Sequence, residues 1–259
     1  MSIIKATKIK KIYGGGDGFT ETVALNNIDI ELEKGEFTAI MGPSGSGKST
    51  LMNILSGFDS PTSGDVLINQ TDIHRLSSDE LALFRRSHIG YIFQEFNLLD
   101  SLTMKENIML PMILDKADTA DTADTAMMSK KAEGLMENLG IQHVRQKYPY
   151  QVSGGQQQRA AVCRALMNDS AVIFADEPTG NLDSKSSRAV LESLKKMNRL
   201  YQSTILLVTH DPVAASYSDK VFFLKDGSIK TQLYKKDTQK NFVKDILDHL
   251  AVLEEVDYE

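Results

Sequence analysis

The sequence predicts an α/β fold: a parallel sheet with crossover helices, an N-terminal antiparallel β subdomain, and an inserted helical subdomain. Three observations predict it. Short apolar runs with abrupt ends suit buried strands: Phe37-Thr38-Ala39-Ile40-Met41, Val172-Ile173-Phe174-Ala175 and Thr204 to Thr209. Arg188 to Leu200 reads as a helix between the last two runs, so strand and helix alternate as in a parallel sheet. Between the two halves, residues 96–165 are richer in Leu, Met, Glu and Lys and poorer in β-branched runs, and read as mostly helical.

The elements follow in order. Up to about Glu36 apolar and polar residues alternate, as at Ile28, Ile30 and Leu32. Gly14-Gly15-Gly16-Asp17-Gly18 breaks the alternation, so the segment reads as strands joined by a hairpin loop. The strand at Phe37 runs into Gly42-Pro43-Ser44-Gly45-Ser46-Gly47-Lys48-Ser49-Thr50. Leu51, Ile54 and Leu55 then recur at helical spacing, and Gly57 is the expected stop. Inside the helical insertion Asp-Thr-Ala occurs three times over residues 118–126, a low-complexity stretch expected to be a solvated loop. Carboxylates three apart, with no Gly and no closing Glu, do not make a calcium loop there. Phe242, Ile246, Leu247, Leu250 and Leu253 mark an amphipathic helix from Asn241 to about Val256, expected to pack on its own domain, with a docking surface for a partner as the alternative. The expected organisation is one domain over 1–240, with the 96–165 subdomain inserted, and a helix and tail over 241–259.

Composition bounds the function. Of 259 residues, 29 are Lys or Arg and 35 are Asp or Glu, for a net charge of −6. A general nucleic-acid binder would show a basic excess, so no nucleic-acid partner is expected. No apolar run approaches the ~20 residues that span a bilayer. The N-terminus has no long apolar stretch of the secretory kind. The single cysteine, Cys163, has no internal partner, which fits a reducing cytosol. It lies among Ala160, Ala161 and Ala165 and reads as a small packing residue.

Chemistry enters at Gly42 to Ser49, which satisfies G-x-x-x-x-G-K-[ST] between a strand and a helix. Successive backbone N–H groups can wrap a triphosphate only where side chains stay clear, which explains the glycines. The helix N-terminus adds positive potential. In this P-loop NTPase core, Lys48 should reach the β- and γ-phosphates of ATP, and the Ser49 hydroxyl should ligate Mg²⁺. The strand from Val172 ends in Asp176-Glu177, where ligands of parallel sheets collect. Asp176 is placed to hold Mg²⁺, and Glu177 is the candidate base for the attacking water. His210 ends another buried run, flanked by Thr209 and Asp211, and is the candidate sensor of the γ-phosphate.

Three further segments carry a family resemblance. Val152-Ser153-Gly154-Gly155-Gln156-Gln157-Gln158-Arg159 resembles the ABC signature, with Val in place of the usual leading Leu. Gln94, in Tyr91-Ile92-Phe93-Gln94-Glu95, matches the Q-loop glutamine, and Gly180-Asn181-Leu182-Asp183 matches the D-loop. With the phosphate loop, Asp176-Glu177 and His210, the set resembles the nucleotide-binding subunit of an ABC transporter over nearly the whole chain. The resemblance implies that Tyr13 stacks on adenine and that Gln94 links Mg²⁺ and water to the helical subdomain. It also implies a head-to-tail dimer of two copies. Ser153, Gly154, Gly155 and Gln156 then act on the partner's ATP, and Asp183 helps couple the two sites. Closure and reopening would drive an integral membrane permease from the cytoplasmic face of the membrane.

A finer resemblance follows from Phe96 to Thr103, Glu106-Asn107-Ile108 and Pro111, which are similar to the lipoprotein-release, macrolide-export and cell-division group. Thr209 to Tyr217, Lys225-Asp226-Gly227, Thr231-Gln232-Leu233 and the tail from Phe242 to Val252 resemble the bacitracin- and lantibiotic-resistance ATPases. That branch implies antimicrobial-peptide detoxification with a large permease, and signalling through it to a sensor histidine kinase. The alternative is a cell-division-type, lipoprotein-release or macrolide-export ATPase driving a four-span permease. A soluble family member acting on ribosomes or DNA would usually carry two cassettes, whereas this chain has one phosphate loop and one signature.

Overall fold

A computed structural model describes residues 2–14, 20–115 and 122–255. The chain runs β1 (Ser2–Tyr13), β2 (Thr22–Glu33), β3 (Phe37–Met41), α1 (Lys48–Leu55), β4 (Ser63–Ile68), β5 (Thr71–Asp72) and α2 (Ser78–His88). It continues through β6 (Ile89–Ile92), α3 (Met104–Asp115), α4 (Thr122–Asn138), two 3₁₀ turns (Gln142–Val144 and Pro149–Gln151) and α5 (Gly154–Ala165). It ends with β7 (Val172–Asp176), α6 (Ser184–Tyr201), β8 (Thr204–Val208), α7 (Pro212–Ala215), β9 (Lys220–Lys225), β10 (Ser228–Tyr234) and α8 (Gln239–Glu255). The backbone forms two compact units, Met1–Leu81 with Thr204–Glu259, and Ala82–Ser203.

In the first unit, β2, β1, β4 and β5 form an antiparallel sheet in that order. Alternate residues of β1 and β2 are buried (Ile4, Ile9, Ile28, Ile30, Leu32), as one solvated face requires. The second sheet of this unit runs β10-β9-β3-β8. Here β3 is parallel to both β8 and β9, with Ala39 opposite Leu207 and Ile40 opposite Phe222. Every residue of β3 and β8 is buried, so these strands lack alternation and read as continuous apolar runs. Helix α8 begins two residues earlier than the sequence suggests. Phe242 and Ile246 are fully covered and His249 stacks on Phe223, but Leu247 is exposed and lies off the buried face, a correction to the predicted stripe. The packed positions follow i, i+4 and i+7 from Phe242, and Leu247 at i+5 points away.

In the second unit β6 and β7 pair in parallel, with Tyr91 opposite Phe174. Among the described residues every regular element between them is helical. Helices α3, α4 and α5 pack on one another, and Met104, Ile108, Met128, Ala132, Leu135, Val162 and Cys163 on them are all buried. Burial pushes the Cys163 thiol up, leaving it protonated. The buried amide of Asn107 organises the entry to α3. Its nitrogen donates to the carbonyls of Leu99, Leu102 and Thr103, each at 3.0 Å, and its oxygen accepts from Leu99 N–H at 2.7 Å. Residues 122–126 of the Asp-Thr-Ala repeat form the start of α4, where a loop was expected. Thr and Asp favour a helix start as readily as a loop. Residues 118–121 lie outside the described residues, as do residues 15–18 of the glycine-rich hairpin.

Candidate active site

In the first unit the predicted phosphate loop leaves β3 and enters α1 at Lys48. Gly47 has φ of 100°, and a Cβ there would lie 2.6 Å from the Ala24 carbonyl oxygen, so only glycine fits. Lys48 is 8% exposed. Its ammonium donates to the carbonyls of Gly42 and Pro43, both at 2.8 Å, which holds the loop in a closed curve. The buried Ser46 hydroxyl has no hydrogen-bond partner among the described residues. A buried cation, an unsatisfied hydroxyl and a helix N-terminus in one loop suit a polyanion.

The strand neighbouring β3 brings His210 to the same end of the sheet. Thr209 N–H donates to the Ile40 carbonyl at 3.2 Å, and the Thr209 hydroxyl accepts from Asp211 N–H at 3.0 Å. Asp211 in turn caps α7 by accepting from Val213 N–H at 2.8 Å. This turn presents His210 as an exposed side chain. Tyr13 ends β1 and is also exposed; its hydroxyl donates to Asp59 at 2.7 Å.

The second unit carries the acidic pair and the signature. Asp176 ends β7 and Glu177 follows with φ of 42°, a left-handed conformation that is uncommon for a residue with a side chain. The turn closes where Gly180 N–H donates to the Glu177 carbonyl at 2.9 Å. Burial, and next the Asp176 charge, push the nearby Tyr91 phenol up. Gln94 and Asn181 exchange amide contacts at 3.3 and 3.5 Å, which joins the Q-loop to the D-loop. Asp183 caps α6, accepting from Lys185 and Ser186 N–H at 3.0 Å each. Bonds from Ser186, then Lys185, hold its carboxyl below the usual range.

Ser153 caps α5 in a reciprocal pair with Gln156. Gly155 is buried, and a Cβ there would meet Ser186 of α6 at 2.9 Å. The signature therefore sits at a helix N-terminus pressed against a neighbouring helix. Sequence reasoning gave no individual role to two residues of this arrangement. The buried Gln158 amide donates to the Phe93 carbonyl at 3.1 Å. The Arg164 guanidinium binds the Phe96 carbonyl at 2.8 Å and the Asn97 carbonyl beside it. Phe96 and Asn97 are both left-handed, with φ of 60° and 49°. One helix thus holds the Q-loop backbone from Phe93 to Asn97. The available signal was Arg164 itself, a lone charge in an otherwise apolar stretch of helix.

Among the described residues no three His, Cys, Asp or Glu side chains assemble as a metal site. Mg²⁺ takes one or two protein oxygens and completes its shell with phosphate oxygens and water. The hydroxyl of Ser49 and the carboxylate of Asp176 are hard oxygen donors of that kind.

Comparisons with known proteins agree with this geometry. Residues 25–180 match the family model described as ABC transporter. The chain is 48% identical to the bacitracin export ATP-binding protein BceA of Halalkalibacterium halodurans over 254 residues, 98% of this chain and 97% of that one. It is 47% identical to the ABC transporter ATP-binding protein YxdL of Bacillus subtilis over 252 residues, 97% of this chain and 95% of that one. The structure matches a dimeric post-hydrolysis state of the ATP-binding cassette MJ0796 bound to ADP and Pi. The TM-score is 0.79 at 37% identity, covering 91% of this chain and all of that one. With a family model matched over more than half of its length and relatives at 47–48% identity over nearly all of it, the chain belongs to the ABC transporter family as an ATP-binding subunit with ATPase activity.

Proposed function

We propose that this subunit powers a membrane permease in the removal of bacitracin- or lantibiotic-type peptides. The observation that supports the reading is the 48% identity to a bacitracin export protein over 98% of the chain. Gly42 to Thr50 hold the phosphates, with Lys48 on the β- and γ-phosphates, and Tyr13 stacks on adenine. Ser49, Gln94 and Asp176 would hold Mg²⁺, which would supply positive charge to offset the phosphates. Glu177 accepts a proton from water as the water oxygen bonds to the γ-phosphorus and the bond to the ADP oxygen breaks. His210 contacts the γ-phosphate. Ser153, Gly154, Gly155 and Gln156 act on the ATP of a second copy, and Asp183 couples the two sites. Among the described residues no helix is long and apolar enough to cross a membrane, so the proposed place at the cytoplasmic face depends on the permease. A sensor histidine kinase served through that permease belongs to the same proposal.

Substituting Glu177→Gln in the native host should raise susceptibility to bacitracin-type peptides and leave macrolide susceptibility unchanged. Capture of the chain from detergent-solubilised membranes should recover a many-span permease with a large external domain. A four-span permease, with unchanged peptide susceptibility, would replace this reading with lipoprotein release, macrolide export or cell-division signalling.

A further inference from the structure

Tyr13 is held in place by an ion-pair cluster that the ATPase motifs do not include. Asp59 lies in the turn after α1, with its own N–H donating to the Asn53 carbonyl at 3.1 Å. One carboxylate oxygen accepts from the Lys11 ammonium and from Ser60 N–H, both at 2.7 Å, and the other accepts from the Tyr13 hydroxyl at 2.7 Å. Lys11 also donates to the Ser60 carbonyl at 2.7 Å. Its ammonium stands over the Tyr13 ring, 4.7 Å from the centroid. The ring is therefore tied at its hydroxyl and backed on one face by a cation, while the residue remains 43% exposed.

We infer that Asp59 is a positioning residue that fixes the Tyr13 ring as a preformed platform for the adenine base. The inference rests on the reading of Tyr13 as the stacking residue. An untethered tyrosine on an exposed strand end samples several rotamers and loses that freedom when a base stacks on it. Here the freedom is already lost before binding. The anchoring turn follows the helix that begins at Lys48, so one helix supports both the phosphate loop and the base platform. The charge states needed for the clamp persist across neutral pH. Burial alone would raise the Asp59 carboxyl, but bonds from Lys11, Tyr13 and Ser60 outweigh it and hold it below the usual range. Burial, then the bond to Asp59, raise the Tyr13 phenol above its ordinary value against the opposing bond from Thr50, so it stays a donor.

The test is calorimetric titration of the full chain with ATP and, separately, with tripolyphosphate, which has phosphates and no base. Tyr13→Phe keeps the ring and leaves Asp59 paired with Lys11, so it removes the hydroxyl's bonds to Asp59 and Thr50 alone. It should weaken ATP binding by about three- to tenfold, the scale of immobilising one side chain, and leave tripolyphosphate binding unchanged. Asp59→Ala should do the same, and the double variant should lose no more than either single one. Wild-type ATP affinity in both single variants, beside a clear loss in Tyr13→Ala, would overturn the clamp and leave the stacking role intact. Wild-type affinity in Tyr13→Ala would overturn both. An equal loss for ATP and tripolyphosphate would overturn the clamp by showing that Asp59 acts on the phosphate loop.

Discussion

Glu177 combines a carboxylate at the end of a parallel strand with a left-handed backbone, φ of 42°. The turn that follows, closed by Gly180 N–H on the Glu177 carbonyl, over-determines that conformation and fixes where the side chain leaves the chain. Glu177→Gln keeps shape and backbone but removes the proton acceptor. Turnover should fall by about 10²- to 10⁴-fold, the usual scale for a general base, while ATP affinity stays near wild type. Single-turnover kinetics with equilibrium binding will separate the two, and near-normal turnover would remove Glu177 as the base. The motif residues were legible in the sequence because their chemistry demands particular side chains at particular spacings. The roles of Asp59, Gln158 and Arg164 were not, and the reason is physical. Gln158 and Arg164 bind backbone carbonyls, which every residue has, and Asp59 meets Lys11 and Tyr13 from 48 and 46 residues away.

Elements show the same division between local and non-local signals. Helix α6 was expected over Arg188 to Leu200 and begins at Ser184, because Asp183 caps it and extends it by one turn. Strand β6 has four residues with Gly90 inside, too short for periodicity to mark, and it exists because β7 pairs with it. Helix α2 has no fully buried residue, so it lacked the apolar stripe that identifies a helix. The end of α1 carries a titratable cap. The His74 ring nitrogen bonds the Ile54 carbonyl at 3.0 Å, an oxygen that also accepts from Gly57 N–H at 3.2 Å where the helix ends. Burial lowers the His74 imidazole below its ordinary 6.5, against the opposing influence of that bond. As pH falls, the unfolded chain takes up this proton before the folded one does. The stabilisation is therefore present above pH 6.5 and is lost as pH falls through the lower folded value. Melting temperatures taken from about pH 7.5 to about pH 5 should decline less steeply in His74→Gln than in wild type. Identical slopes would assign the acid sensitivity to other groups.

At the scale of the whole molecule, the structure divides the motifs between two compact units, with the phosphate loop and His210 in one and the signature, Q-loop and acidic pair in the other. The proposed dimer assigns the Ser153 helix terminus to the ATP of the other copy, and complementation tests that assignment directly. Lys48→Ala removes a charge-assisted contact to phosphate, worth about 1.5–3 kcal/mol, and should disable its own phosphate loop. Ser153→Arg places a bulky cation at the N-terminus of α5 and should disable only the signature. Each variant alone should be nearly inactive. In a mixed dimer, the intact phosphate loop of the Ser153→Arg copy meets the intact signature of the Lys48→Ala copy, so one of two sites is rebuilt. Twofold symmetry makes about half the dimers mixed at equal concentrations, and independent sites would then restore about a quarter of wild-type turnover. A signature acting on its own chain's ATP would leave both copies defective in every pairing. Turnover that stays at the level of the separate variants, under conditions where sedimentation shows ATP-dependent dimers, would rule out the exchange of signatures between copies.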